Sequence, residues 1–304
     1  NDQYKLGLAI EGGGMRGCVS AGMITCLHYL EIQDAFDSVY GSSAGSMIGA
    51  YFVSRQRNGT VIYHSVLPES GSKFLNKSLL PFALGLDFSL FRWDWWNLLR
   101  KRATKEERKQ LLIQNGGVQV FNLNYLMEDV IGKIWPLDWN TFWENNSKQP
   151  LNVVVSGLFT MESYTLTSAK GHFSSLKELS MCLRASMLVP GLTGPLVTFP
   201  VGNEKLNQES LDLDAEEKEA FREMEIPNES SHQPFADALI FEPIPYRSAA
   251  KDNCTHILTI RTRPDGSQVL GKKAGLYERR IARKYFDEFQ SIPNISQFLI
   301  QKIF

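Results

Sequence analysis

The sequence has little of what a disulfide scaffold, a membrane span or a nucleic-acid surface requires. Its 304 residues include only 4 cysteines, which lie far apart, so we expect buried free thiols rather than a disulfide framework. No run of about eighteen uncharged apolar residues is present, which argues against a transmembrane helix. The net charge of −1, without interleaved aromatic and basic residues, argues against nucleic acid as a partner. We expect a globular protein that is cytoplasmic or peripherally membrane-associated.

One segment, residues 81–102, is unusually rich in aromatic residues. It contains Trp93, Trp95 and Trp96 and ends in the basic run Arg100-Lys101-Arg102. Tryptophan beside cationic residues is typical of segments that lie at a membrane–water interface. The same pattern also fits the core of a small buried subdomain, and the sequence leaves both interpretations open.

Charge is unevenly distributed in the second half of the chain. Residues 204–229 contain ten acids and three bases, which predicts a solvated acidic insertion over about residues 203–233. Residues 247–284 contain ten bases and three acids. This basic segment fits either an exposed helix face with loops or a patch that attracts the phosphate headgroups of an anionic surface.

Two consecutive strand–turn–helix units open the chain. The apolar run Leu6–Ile10 predicts a buried parallel strand, and Cys18–Ile32 has the apolar spacing of a helix. A second strand, Ser38–Tyr40, precedes a second predicted helix, Ala44–Val53. Each turn therefore follows the carboxyl end of a strand, where open α/β sheets place their sites.

The two turns carry complementary chemistry. Gly41-Ser42-Ser43-Ala44-Gly45 is a G-x-S-x-G frame, in which Ser43 sits on a sharp strand-to-helix turn that its flanking glycines, Gly41 and Gly45, make room for. The earlier turn, Gly12–Gly17, is a run of small residues at a helix start, where backbone N–H groups can point at an anion. A nucleophile and an acceptor for the charge that it creates are thus predicted side by side.

Strand and helix signals resume after residue 150. Leu151–Phe159 and Ser163–Ser168 predict a hairpin, Leu176–Met187 a helix, and Cys254–Thr262 a further strand. Leu276–Phe289 reads as a basic amphipathic helix.

Four ordered motifs make the sequence resemble the patatin-like phospholipase family. They are the G-G-G-x-R/K-G loop at Gly12–Gly17, the G-x-S-x-G elbow, an Arg-Ala-Ser helix end at Arg184–Ser186 before Pro190-Gly191, and an aspartate motif at Asp237 with Pro245 eight residues later. In one departure, Ala238 stands where the family usually has glycine. If that position has a positive φ, alanine is expected to cost about 1 kcal/mol of strain.

The resemblance implies a three-layer α/β/α fold with a mainly parallel sheet, residues 1–304 forming one catalytic domain with insertions at 81–102 and 203–233. It also implies a Ser43–Asp237 dyad that needs no metal and no cofactor and cleaves glycerophospholipid esters through an acyl-enzyme. The substrate would be a phospholipid or another acyl lipid at a peripheral membrane surface. The oxyanion would be held by the glycine-rich loop, whose residues are Gly12, Gly13, Gly14, Met15, Arg16 and Gly17.

Three other interpretations remain open at this stage. His256 follows Asp237 and offers a Ser-His-Asp triad, although it lies in the middle of a predicted strand. The spacing of Gly12, Gly14 and Gly17 fits a weak dinucleotide-binding fingerprint. A lipid-binding protein without turnover is motivated by Ala238 and by the acidic insertion before Asp237. Within the enzyme interpretation itself, triacylglycerol hydrolysis or transacylation would use the same dyad.

Overall fold

The computed structural model describes residues 3–80, 119–200, 232–264 and 266. The predicted aromatic segment with Trp93, Trp95 and Trp96, most of the acidic insertion and the predicted helix Leu276–Phe289 lie outside the described residues. Among the described helices, none has both the length and the apolar character that crossing a bilayer requires.

A seven-stranded sheet forms the centre of the molecule. Its spatial order is β5-β6-β3-β2-β1-β7, and β4 pairs with β3 outside that path. Strands β7, β1, β2 and β3 are mutually parallel, whereas β4, β6 and β5 are antiparallel additions. The strands are β1 (Leu6–Ile10), β2 (Ser38–Ser42), β3 (Leu151–Gly157), β4 (Glu162–Leu166), β5 (Val197–Pro200), β6 (His232–Ala236) and β7 (His256–Ile260).

Helices flank this sheet and confirm the expected three-layer α/β/α fold. Helices α1, α2 and α5 pack together and against the sheet, while α6 packs on β1, β2 and β7. The α-helices are α1 (Gly17–Tyr29), α2 (Ala44–Val53), α3 (Leu67–Ser70), α4 (Trp139–Asn146), α5 (Leu176–Ser186) and α6 (Tyr246–Lys251), with π-helical segments at Ile62–Val66 and Tyr125–Ile134.

The helix that follows the elbow is buried along its whole length. All ten residues of α2 are buried, because α2 contacts the sheet as well as α1, α4 and α5. A helix that is apolar all round belongs in such a central position. The sequence predicted both ends of α2 correctly, and it placed the β3–β4 hairpin within two residues of its observed bounds.

The pairing of β3 explains how distant parts of the chain meet. β4 occupies one edge of β3 over Val153–Gly157. On the opposite edge, β2 runs parallel to β3 and pairs Ser42 with Val154, while β6 runs antiparallel and pairs Ala236 with Ser156. Both strands therefore end within one residue of Val155, approaching it from opposite directions. The residues that come next in the chain are Ser43 and Asp237.

Candidate active site

Ser43 occupies a strained turn between β2 and α2. Its backbone angles are φ 52° and ψ −124°, a positive-φ conformation that L-residues rarely adopt. The turn is tight enough to require the flanking glycines, since an added Cβ at Gly45 would lie 2.2 Å from the carbonyl oxygen of Ile10 and one at Gly41 would lie 2.3 Å from Cα of Ser46. The predicted serine turn is thus present, with Ser43 at its apex.

The side chains of Ser43 and Asp237 meet, although 194 positions separate them in the sequence. The Ser43 hydroxyl donates a hydrogen bond of 2.8 Å to Oδ2 of Asp237. The other carboxylate oxygen, Oδ1, accepts a 2.8 Å bond from the backbone N–H of Leu239. Both side chains are nearly enclosed, with Ser43 8% and Asp237 2% exposed. The expected contact between the hydroxyl and the carboxylate is therefore observed.

Burial changes the proton affinity of Asp237. Removal of the carboxylate from water raises its pKa from an ordinary value of 3.8 to about 6, while the hydrogen bonds from Leu239 and Ser43 act in the opposite direction. A carboxylate with this pKa is still ionised at neutral pH and is a better proton acceptor than an exposed aspartate.

Ser186, at the end of α5, fixes the backbone of the elbow. Its hydroxyl accepts a 2.8 Å hydrogen bond from the backbone N–H of Ser43 and donates a 2.6 Å bond to the carbonyl oxygen of Val154. The N–H of Ala238 also donates to the carbonyl of Ser186, at 3.3 Å. Ser186 belongs to the Arg-Ala-Ser motif, for whose position sequence reasoning offered no physical explanation. In the structure, it links the serine turn to the aspartate turn.

Replacing Ser186 by alanine is expected to lower kcat by about tenfold and the free energy of unfolding by about 1–2 kcal/mol. The change leaves the N–H of Ser43 buried without its acceptor, and such an orphaned group costs about 1–3 kcal/mol. Ester hydrolysis and urea unfolding would measure the two effects. Ser180→Ala on the same helix is the control, because in the described part of the chain the Ser180 hydroxyl makes one hydrogen bond, to the carbonyl of Leu176 in its own helix. Equal behaviour of both variants would contradict a positioning role for Ser186.

The glycine-rich loop passes directly beside the serine turn. An added Cβ at Gly12 would lie 2.8 Å from Cβ of Ser43, and Gly14 has a φ of +55° that favours glycine. The N–H of Gly12 is engaged by the carbonyl of Pro243 at 3.2 Å, and that of Arg16 by the carbonyl of Gly13 at 3.1 Å. Within the described ranges, the N–H groups of Gly13 and Gly14 make no hydrogen bond. The amides of Gly13 and Gly14, at the wall of the cavity, are therefore candidate donors to an oxyanion.

A buried carboxylate, that of Glu11, holds the start of this loop. No sequence signal indicated this role for Glu11. Glu11 is 0% exposed. Its carboxylate accepts a 2.6 Å hydrogen bond from the N–H of Thr262 and forms a 2.8 Å ion pair with Arg263. The Thr262 hydroxyl donates to the carbonyl of Gly12 at 3.1 Å. The chain after β7 is thus attached to the loop after β1.

Ser43, Asp237 and the glycine-rich loop share one cavity of about 260 Å³. Met15 and Arg16 lie at its wall and are exposed, while Gly17 is buried at the start of α1. Much of the remaining wall is apolar and comes from α2, α3 and the segments around residues 74 and 121–126, through Met47, Leu67, Phe74, Phe121, Leu123 and Leu126. Such a wall is suited to contact with an apolar group.

Ala238 fits its position without backbone strain. The described non-glycine residues with positive φ include Ser43 but not Ala238, so the strain of about 1 kcal/mol that a positive φ would cost does not apply.

Glu242 connects the segment after Asp237 to the serine turn. Its carbonyl accepts a 2.8 Å bond from the Ser42 hydroxyl, and its buried carboxylate accepts bonds of 2.7 Å from the N–H and the hydroxyl of Ser248. These contacts hold the segment that follows Asp237 against the elbow.

His256 does not join the Ser43–Asp237 pair. It pairs in register with Leu6, at the amino end of β1 and β7, whereas Ser43 follows the carboxyl end of β2. Its ring lies 5.1 Å from that of Tyr4, and its Nδ1 is 3.1 Å from the Thr255 hydroxyl. The Ser-His-Asp alternative is therefore excluded by the position of His256.

Among the described residues that line the cavity of Ser43 and Asp237, there is no cysteine. All 4 cysteines are free, as expected, but Cys18 and Cys26 are exposed, which corrects the expectation of buried thiols; they lie on the outer side of α1. Cys182 is buried, and Cys254 is partly so. Among residues 3–80, 119–200, 232–264 and 266, no group of three or more histidine, cysteine or acidic side chains is arranged to hold a metal ion.

Ser43 lies at a strand–helix turn of a three-layer α/β/α fold, and its hydroxyl is hydrogen-bonded to a carboxylate. These features place the protein among α/β folds that carry a nucleophile elbow. The model of the family described as patatin-like phospholipase matches residues 8–250, and the chain belongs to this family. The family as a whole indicates lipid acyl hydrolysis. A comparison with curated proteins found no match.

Proposed function

We propose that this protein is a phospholipase A-type enzyme that cleaves the carboxylic esters of glycerophospholipids, with Ser43 as nucleophile and Asp237 as general base. The observation that carries the proposal is the 2.8 Å hydrogen bond between the two side chains inside a largely apolar cavity. We further propose that residues 1–304 act as one catalytic domain at a peripheral membrane surface.

The proposed reaction begins with attack of Ser43 Oγ on the ester carbonyl as its proton passes to Oδ2 of Asp237. The carbonyl oxygen becomes an oxyanion, for which the N–H groups of Gly13 and Gly14 at the cavity are candidate donors. Losing one such donor typically costs about 3–4 kcal/mol of barrier. Collapse of the tetrahedral intermediate breaks the ester bond, and the departing alcohol takes the proton from Asp237. Water then attacks the acyl-enzyme with the carboxylate again as base, which frees the fatty acid and restores Ser43.

The burial of Asp237 supports its role as base. A carboxylate with a pKa of about 6 is ionised at neutral pH but closer in proton affinity to what a general base requires than an aspartate with a pKa of 3.8. The absence of strain at Ala238 removes one of the two observations that motivated a lipid-binding protein without turnover, and the other, the acidic insertion, lies largely outside the described residues. Reaction with a fluorophosphonate probe distinguishes a serine hydrolase from a lipid-binding protein without turnover, because the probe labels only an activated serine.

Fatty-acid release from a panel of lipids tests the proposal. Vesicles of phosphatidylglycerol with phosphatidylcholine are expected to yield fatty acid faster than galactolipid, triacylglycerol or lysolipid substrates, and Ser43→Ala is expected to abolish release. Efficient cleavage of soluble short-chain esters without any release from the vesicles would contradict the phospholipid assignment while retaining the serine hydrolase. Failure of the probe to label Ser43 in the folded protein would contradict both.

A further inference from the structure

Besides Arg16, a second arginine, Arg263, lines the cavity. In the sequence, Arg263 lies beyond the segment that the family model matches. It follows β7 by three residues, whereas the match ends at residue 250. It belongs to the basic segment 247–284, whose charge the sequence alone left without a location. In the structure it lines the same cavity as Ser43, together with Arg16 from the glycine-rich loop.

Arg263 is held in place from one side only by a buried acid. One guanidinium nitrogen lies 2.8 Å from Oε1 of Glu11, and the Arg263 side chain retains 15% exposure while Glu11 has none. The guanidinium carries five N–H donors in a rigid fork, and this ion pair is its one recorded contact in the described part of the chain. The remaining donors are available to a ligand in the cavity.

Two guanidinium groups, those of Arg263 and Arg16, line the same cavity. Burial and the positive charge of Arg16 both lower the pKa of Arg263, so the two guanidinium groups are close enough to repel each other. Glu11 compensates one of these two positive charges. Among the described residues that line the cavity, Asp237 is the one acid, and Ser43 and Leu239 already engage its carboxylate. A phosphate oxyanion would satisfy the unused donors and reduce the repulsion.

We propose that Arg263, with Arg16 beside it, binds the phosphodiester of the substrate headgroup and so sets a preference for phospholipids over neutral acyl lipids. This inference rests on the proposed function, because it takes Ser43 as the nucleophile. In a glycerophospholipid, the glycerol carbons alone separate the ester from the phosphate. An ester at Ser43 with its acyl chain against the apolar wall therefore leaves the phosphate at the polar part of the same cavity. Bidentate arginine is well suited to such a group.

The test compares hydrolysis of phosphatidylglycerol and of diacylglycerol with identical acyl chains in mixed micelles. Arg263→Gln is expected to lower the ratio of the two kcat/KM values by at least about tenfold, since it removes a charge-assisted contact with the phosphate. The matched control is Lys133→Gln, which removes an exposed cation whose recorded partner is Asp129, and it is expected to leave the ratio unchanged.

A double variant separates headgroup binding from support of the loop. Arg263→Gln alone leaves the buried Glu11 carboxylate unpaired, which can destabilise the fold. Glu11→Gln with Arg263→Gln removes both charges and is expected to show the same tenfold loss of preference, whereas Glu11→Gln alone keeps the guanidinium and is expected to retain or raise the ratio. If the double variant keeps the preference, or if Glu11→Gln abolishes it, Arg263 serves the loop and the proposal is wrong.

Inorganic phosphate distinguishes a lipid headgroup from a free anion. If phosphate inhibits diacylglycerol hydrolysis in an Arg263-dependent manner while the lipid ratio is unaffected, the site binds free phosphate and headgroup recognition is overturned. Normal fluorophosphonate labelling with no preference for phospholipid would also overturn it, without affecting the serine hydrolase. Absence of labelling in the unmodified protein would instead contradict the proposed function and, with it, the headgroup site.

Discussion

Asp237→Asn is expected to lower kcat/KM by about 10³–10⁴-fold and, at the same time, to stabilise the protein at neutral pH. Asparagine can accept the hydrogen bond from Leu239 N–H, but it is too weak a base to take the proton of Ser43. The unmodified enzyme should gain activity as the pH rises through about 6, because the carboxylate must be ionised to act as base. The residual activity of Asp237→Asn should not show this rise with pH.

The stability effect follows from the direction of the pKa change. The folded-state pKa of Asp237, about 6, is higher than the ordinary value of 3.8, so between these pH values the folded protein binds more protons than the unfolded chain. The free energy of unfolding therefore falls as the pH rises through this window, by up to about 3 kcal/mol. Asparagine carries no such penalty, and we expect Asp237→Asn to gain about 1–3 kcal/mol at pH 7.5 but little at pH 4.

Urea unfolding and ester hydrolysis across the pH range would check both effects. Asp138→Asn is the matched control, because hydrogen bonds from Thr141 lower the pKa of this exposed helix-capping aspartate. It should retain activity and show no gain in stability at pH 7.5. An Asp237→Asn variant that is active would place the general base elsewhere, and one that is destabilised at pH 7.5 would show that the buried charge is compensated.

Ser43→Gly and Ser43→Ala are both expected to lower hydrolysis by at least about 10⁴-fold, yet to differ in stability. Each removes the nucleophile and the hydrogen bond to Asp237, so these losses cancel when the two variants are compared. Alanine keeps the strain of φ 52° and ψ −124°, whereas glycine does not. The greater freedom of glycine in the unfolded chain offsets part of this gain. We expect Ser43→Gly to be more stable than Ser43→Ala by about 1 kcal/mol.

Urea denaturation of the two inactive variants measures that difference, and a fluorophosphonate probe verifies that neither retains a reactive serine. Ser46→Gly and Ser46→Ala provide the reference inside α2, where glycine should be the less stable by about 1 kcal/mol. The sign of the Gly–Ala difference is thus expected to reverse between positions 43 and 46. The same sign at both positions would mean that the elbow stores no strain.

Local patterns account for the parts of the fold that the sequence predicted well. The apolar runs, the turn glycines and the helical spacing fixed β1, α2 and the β3–β4 hairpin because each depends on neighbouring residues. The pairing of Ser43 with Asp237 came from the resemblance rather than from periodicity, since nothing local in either segment refers to the other.

Long-range contacts account for what the sequence did not indicate. The Glu11–Arg263 ion pair joins residues 252 positions apart, and the link from Ser186 to Ser43 spans 143 positions. Both depend on the order of strands in the sheet, which spacing along the chain does not encode. The burial of Cys18 and Cys26 was also predicted wrongly, because the sequence does not show which face of α1 packs against the rest of the protein.

Because β2 and β6 both end beside Val155, the pairing of each strand with β3 determines where Ser43 and Asp237 lie relative to one another. Side chains alternate between the faces of a strand, so sliding β6 by a single residue would turn the carboxylate to the other side of the sheet. Alignment between hydroxyl and acid is consequently set by ladder hydrogen bonds near the middle of the sheet, and not by the length of the polypeptide that connects them. We expect a change in the length of the loops between these strands to leave the alignment intact, and an insertion within β3 or β6 to destroy it.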